Sequence, residues 1–346
     1  PRFDYLNVAP TVLDGRMYLA ARRSHGVGSQ VTTQVVEYDY DDFRAKNSAF
    51  DVTGHVPTLI NSAARKMVGI SADGPILFIL TTDPKNAFIY QTAFAGGQQR
   101  TQAAWSYMRY AELTEDDRIV DAAAVDSEIV LLTETDAGDI LLEYMRWDRD
   151  YFDSLAALIG EFPYLPCMDR MMILNGSHAS GTTTWTMPFS DEGIYGAVGQ
   201  NGEGTTLTRV NATTHTATGN WQAATRGPKA VVGKLFRTEL QPSPQYLRDQ
   251  SGLPDVRQDI MVTCMSLRIY RSGLFTVSLQ RTDFETVTLD VDPAPEYISR
   301  ARTYPVYGVG PSNRTVVRLY AEGPQPFNIQ TIFTEGEVIN SSPRAN

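Results

Sequence analysis

Short runs rich in β-branched and aromatic residues return at near-regular intervals through the first 147 residues, each closed by a turn, and this recurrence limits the fold more than any other feature. RMYLAAR (16–22), QVTTQVVEYDY (30–40), KMVGIS (66–71), ILFILTT (76–82), AFIYQTAF (87–94), AAWSYMRY (103–110), RIVDAAAV (118–125), EIVLLTET (128–135) and ILLEYMRW (140–147) read as strands, separated by GVG, ADG, DPKN, GGQQ, TEDD and DAGD turns. Many short antiparallel strands escape long naked edges by radial repetition or by sheet stacking, so propeller blades or a sandwich are the predicted arrangements. The stretches beginning at Lys66 and Arg118 lie side by side as two repeats of about 45 residues, the length of a four-stranded blade.

The character changes after Arg149. SLAALIG is predicted as a short helix, with Asp153 or Ser154 as N-cap and Gly160 as its stop. From Ile173 to about Gly233 the chain is rich in Thr with Gly and Asn turns, the composition of a surface-rich antiparallel sheet. In SLRIYRSGLFTVSLQ, Leu267 and Ile269 take one side of a strand against Arg268 and Tyr270 before the Ser-Gly turn resets the alternation. Three further strands follow, joined by GVGPSN and EGPQP, with fraying expected past Gly336. The fold class is therefore all-β: full or incomplete propeller blades over 1–149, a connecting helix and Thr-rich β domain over 150–265, and a C-terminal antiparallel β domain or returning sheet over 266–346.

In EYDYDD, an extended backbone puts Glu37, Asp39 and Asp41 on one face and Tyr38, Tyr40 and Asp42 on the other. A solvent-facing acid row with the tyrosines turned inward is the favoured reading, ahead of an interface patch. Three carboxylates suit Ca²⁺, but DYDDFRAKNSAF lacks the glycine and the terminal Glu of an EF-hand loop.

The 346-residue chain is 42% hydrophobic and carries a formal charge of −10, which is wrong for a protein that grips phosphate backbones over an extended basic face. A neutral or acidic channel through which nucleic acid slides remains compatible. No apolar run approaches the roughly 18 residues of a spanning helix, so no membrane-spanning segment is expected. The opening PRFDYLNVAP has no signal-peptide hydrophobic region, and an N-terminal Pro without Met reads as a processed product or fragment. Cys167 and Cys264 stand alone among apolar neighbours, which supports neither a disulfide scaffold nor a Cys-based zinc site.

Catalytic signals are scarce. His25, His55, His178 and His215 are scattered, with no HExxH, and neither GxSxG, GxxxxGK[ST] nor a helix-opening GxGxxG is present. Glu128, Glu134, Asp136 and Glu143 are the carboxylates open to a glycosidase pairing, though they sit at turns and strand ends where acids are ordinary loop formers. No catalytic residue, cofactor or metal site is assigned.

Four stretches, in order, resemble the podophage tail tubular protein B family, the nozzle proteins of short phage tails. An acidic aromatic strand precedes T-x-H-V-P-x-L-I, here Thr53, His55, Val56, Pro57, Leu59 and Ile60. Gly97, Arg100, Gln102, Ala104 and Trp105 follow the family's G-x-x-R-x-Q-x-A-W line, with Tyr107 and Met108 near where a second Trp is expected. Ser243, Pro244, Tyr246 and Leu247 are similar to its S-P-x-x-[FLY] strand end, and Gly273 to its T-G-x-F turn, with Ser272 in place of Thr. Pro324, Pro326, Phe327, Ile329, Glu335 and Gly336 resemble its final sheet. The matches fall in the later part of the longer family proteins.

The resemblance implies a β-propeller joined to a platform facing the adaptor, six copies around a DNA channel at the tail tip, and a structural role without cofactor in the virion. The implied partners are further copies of itself, the portal adaptor (tail tubular protein A), tail fibres or tailspikes, and double-stranded DNA in passage. The Thr-rich segment 182–219, with Arg209 and His215, and the loop GSHASGTTT are the stretches expected nearest that DNA. Sheet edges around Thr205–Val210 and Phe327–Ile332 are expected to need covering in an assembly. The alternative from another class is a virion-associated glycan-binding protein or capsule depolymerase.

Overall fold

A computed structural model of the chain describes residues 4–23, 32–41, 46–72, 74–95, 99–110, 117–126, 128–146, 166–199, 202–221, 230–245, 258–270, 272–282, 285–291 and 301–340. Among them the regular elements are all β-strands, in several antiparallel sheets. They form two compact units: Pro1–Ser154 with Phe189–Glu192, and Leu155–Pro188 with Gly193–Asn346.

The first unit is a succession of three sheets. β1 (Asp4–Tyr5), β3 (Arg16–Arg23), β4 (Thr32–Asp41) and β5 (Lys46–Asp51) form the first in that order, with β2 (Thr11–Leu13) also on β3. The β2–β3 hairpin turns on Asp14 and Gly15, both at positive φ (49° and 75°), the left-handed pair that a two-residue hairpin requires. β6 (Ala64–Ala72), β7 (Gly74–Thr81), β8 (Asn86–Ala95) and β9 (Gln99–Arg109) form a four-stranded meander, and β10 (Arg118–Val125), β11 (Glu128–Glu134) and β12 (Ile140–Arg146) a three-stranded one. The sequence reading placed strands at β3, β4 and β6 to β12 within a few residues, but not at β1, β2 or β5.

β7 explains why ILFILTT is an unbroken apolar run. Leu77 and Ile79 enter a core with Tyr18, Ala20 and Val35 of the first sheet. Ile76, Phe78 and Leu80 enter another with Ile119, Ala122, Ile129 and Leu131 of the third. All five side chains are 3% exposed or less, and burying each contributes about 2 kcal/mol. Arg65 fastens the second sheet to the third by donating to the carbonyls of Ile119 and Val120, both at 2.8 Å.

In the second unit, β13 (Asp169–Leu174), β20 (Ala230–Lys234), β16 (Tyr195–Gly199) and β17 (Gly204–Thr206) form one sheet in that order. β14 (Ser177–Ala179), β15 (Thr182–Thr186), β19 (Thr214–Thr218) and β18 (Thr208–Arg209) form the Thr-rich sheet. Tyr195 of the former packs on His215 of the latter, ring centroids 4.9 Å apart. β21 (Thr238–Leu240), β26 (Thr315–Ala321), β23 (Phe275–Arg281) and β24 (Val287–Val291) face β25 (Ala301–Pro311), β22 (Gln258–Tyr270) and β27 (Ile329–Asn340) across a core built from Phe275, Val277, Leu279 and Leu319 on one side and Met265, Leu267, Ile269 and Val306 on the other.

Three expectations need correction. Glu37 does not face solvent: it is 3% exposed, because the Tyr18 hydroxyl (3.0 Å) and the Arg16 guanidinium (3.5 Å) on neighbouring β3 take up its oxygens, while Tyr38 on the opposite face is only half-buried. The chain does not fray at Gly336, since β27 runs to Asn340 opposite Gln258. His215 is 1% exposed beneath Tyr195 and is not available to a channel, whereas Arg209 is exposed. The helix expected at SLAALIG lies outside the described residues.

Candidate functional site

Several of the matched positions gather into two structural joints. In the first unit, the turn after β5 is locked by Thr53, which is 1% exposed. Its hydroxyl donates to Asp51 Oδ1 (2.6 Å) and accepts from Arg23 Nη2 (3.1 Å) and the Val35 amide (3.3 Å), while its own amide donates to Asp51 Oδ1 (2.9 Å). Arg23 also pairs with Asp51 Oδ2. Two successive tight turns follow, Val56 N to Thr53 O (3.0 Å) and Leu59 N to Val56 O (3.1 Å), and they deliver Ile60, whose carbonyl accepts from Thr33 and whose side chain is buried. His55 is exposed and Pro57 half-buried at the tip.

Trp105 brings the second stretch to the first. Its indole Nε1 donates to the Val52 carbonyl at 2.9 Å, and its ring lies 4.8 Å from Tyr90, which meets Tyr18 edge-on. The four-stranded meander is thereby fixed to the first sheet at the residue preceding Thr53. Arg100 sits on β9 opposite Phe94, and Gly97 lies outside the described residues.

The second joint is a corner in the second unit. The Gly273 amide donates to Pro326 O (2.7 Å), the Leu274 amide to Gln325 Oε1 (2.9 Å), and Phe327 packs on Phe275 with centroids 5.6 Å apart. A Cβ at Gly273 would overlap the Gln325 side chain, so glycine is demanded by close approach. Gly336 is demanded likewise by the Met261 carbonyl on β22, and Glu335 beside it is exposed. Ser243 and Pro244 line a small cavity with Met265, Val317 and Ile332. Tyr246 and Leu247 lie outside the described residues.

The carboxylates singled out as acid–base candidates are engaged structurally. Glu134 pairs with Arg118 at 2.6 Å, Glu143 accepts from the hydroxyls of Tyr110 and of Thr133 (2.7 Å), and Glu128 opens β11 opposite Arg146. Asp136 differs. At the β11–β12 turn it meets Asp117 and Asp191, their oxygens all within 4.8 Å. Asp117 and Asp191 are buried, and Asp117 accepts from the Asp136 amide at 2.8 Å. Burial first, then the charges of Asp117, Asp191 and Glu192, raises the Asp136 carboxyl above its ordinary range, so proton uptake there relieves the crowding.

Sequence reasoning missed Arg23, Asp51, Asp117 and Asp191, which converge from distant positions. Of the thiols, Cys264 is buried and Cys167 is pushed up to about 11 by burial and then by Asp169, which keeps it protonated and unreactive at neutral pH. His178 Nδ1 lies 3.3 Å from the Thr183 hydroxyl, and His25 is outside the described residues.

Solved structures that align with the chain include a variant of the Bombyx mori beta-fructofuranosidase with sucrose (9% identity, 97% of this chain and 79% of that one, TM-score 0.23). An exo-beta-1,3-galactanase from Phanerochaete chrysosporium with galactose (9% identity, 94% and 95% covered, TM-score 0.18) and an arabinoxylan arabinofuranohydrolase from Bacillus subtilis with cellotetraose (9%, 97% and 96%, TM-score 0.20) align similarly. At such TM-scores none of them bears on fold or activity. No curated protein matches the chain. The model of the family described as "Bacteriophage nozzle protein" matches residues 9–345, and the chain therefore belongs to the bacteriophage nozzle proteins, non-enzymatic structural components of the virion tail.

Proposed function

We propose that copies of this nozzle protein close into a six-fold ring around the channel by which double-stranded DNA leaves the virion, joined to the portal adaptor and to the tail fibres or tailspikes. The observation that carries this reading is the set of unpaired outer strands in a chain of the nozzle family. Among the described residues β17 and β18 each pair on one side only, which leaves an edge that a neighbouring copy can cover. The three successive sheets of the first unit are, on this reading, blades of a propeller. The formal charge of −10 favours a channel wall from which DNA is repelled.

Mass photometry of the full-length protein, alone and with the adaptor, is expected to give a hexameric particle; a strict monomer under both conditions would sink the proposal. Filter binding of double-stranded DNA across salt concentrations is expected to show weak retention with a shallow slope. Tight binding with a steep slope, lost on neutralising Arg209, Arg226 and Lys229 together, would indicate a gripping surface instead.

A further inference from the structure

The sheet β25–β22–β27 has two outer strands of similar length that are finished differently. β25 contains Pro305 and Pro311, which have no N–H to offer a new neighbour, and Arg281 donates to the carbonyls of Gly308 and Val309 on that strand. Proline and covering side chains are how natural sheets close an edge to further strands. β27 has neither. From Thr331 to Val338 it carries no proline and no cation, and among the described residues it pairs with β22 alone.

Its side chains form two rows. Thr331, Phe333, Glu335 and Glu337 share one face, with Phe333 54% exposed and both glutamates exposed. Ile332, Thr334, Gly336 and Val338 share the other. There Ile332 and Thr334 line a cavity of about 40 Å³ together with Pro244, Met265, Val317 and Thr315. Thr315 is only 7% exposed, and its Oγ1 has no hydrogen-bond partner among the described residues.

We propose that β27 is a docking edge for an extended, basic segment of a different polypeptide, added as a further strand. Backbone pairing along Thr331–Val338 supplies the affinity. Lysine or arginine side chains two residues apart meet Glu335 and Glu337, and a Val- or Thr-sized side chain on the opposite row enters the cavity, where a hydroxyl satisfies Thr315. Charge selects the occupant. A second β27 laid alongside would bring further glutamates and no cation to that row, so a basic strand is the better match.

The probe is a synthetic ten-residue peptide alternating Val and Thr with Lys on one face, tested against the full chain by hydrogen–deuterium exchange and fluorescence anisotropy. Amide exchange at 331–338 is expected to slow on peptide addition while 301–311 is unchanged. The double variant Glu335→Lys with Glu337→Lys, both exposed and outside the core, is expected to lose about tenfold in affinity for this peptide and to gain a similar factor for its Glu-containing counterpart. No protection at 331–338, protection on β25 instead, or equal affinity of the two proteins for the Lys peptide would overturn the proposal. So would protection of β27 that grows with protein concentration in the absence of peptide, which would mark a second copy as the occupant.

Discussion

The turn that ends in Ile60 and the corner at Gly273 solve one problem by different chemistry. Each holds a chain reversal against a neighbouring sheet. In the first unit a charged group is drawn in: Arg23, Asp51 and Thr53 exchange hydrogen bonds in a setting where Thr53 is fully buried, and Trp105 caps the preceding carbonyl. In the second unit the corner is held, among the described residues, by backbone amides, a side-chain amide and an aromatic contact. The first joint depends on which atoms are present, because a buried donor or acceptor that loses its partner keeps its desolvation cost. The second depends on how much room is left.

Substitutions that change size and those that change chemistry should therefore separate the two. Gly273→Val should be the most damaging, destabilising by about 3 kcal/mol through overlap with Gln325, read by urea denaturation. Thr53→Val keeps the volume and removes the hydroxyl, so a loss of about 2 kcal/mol is expected from the stranded Val35 amide and the lost hydroxyl bond to Asp51. If that variant were neutral, the polar joint would be no more than filler. Trp105→Phe should cost about 1 kcal/mol, the hydrogen bond to Val52 with part of the ring contact.

The smallest expected effect has the opposite sign. The Asp136 carboxyl is raised in the folded chain, so its contribution is present below the ordinary carboxylate range and is lost as pH rises through the raised value. Asp136→Asn should raise the thermal midpoint slightly at neutral pH, and the gain should vanish in acid. The Lys66–Asp121 pair runs the other way. Its carboxyl is lowered chiefly by the hydrogen bond from Lys66, so its contribution is present at neutral pH and lost as pH falls through that lowered value, and both side chains are too exposed for it to be large.

Strand positions in the first unit were legible because β-branched and aromatic runs alternate with Asp- and Gly-containing turns, a local signal. Leu267 and Ile269 against Arg268 gave the inward face of β22 correctly for the same reason. What escaped was set by partners far along the chain. Nothing near EYDYDD says that β3 will bring Arg16 and Tyr18 to Glu37, so an acidic row read as a wet face. His215 read as a surface residue among threonines until Tyr195 covered it. Asp117, Asp136 and Asp191 meet only because residues 189–192 belong to the first unit. The glycines of the matched stretches were visible, but the overlaps that require them at Gly273 and Gly336 were not.

The two-sided burial of β7 has a consequence for the order in which the chain becomes safe from aggregation. As the polypeptide emerges during synthesis, residues up to about 110 are enough to close the core around Leu77 and Ile79, but Ile76, Phe78 and Leu80 wait for strands that follow. A nascent chain halted there presents a sticky apolar row on an otherwise finished sheet. Truncation between β9 and β10 should yield a protein that needs chaperone protection, and extension through Arg146 should relieve it.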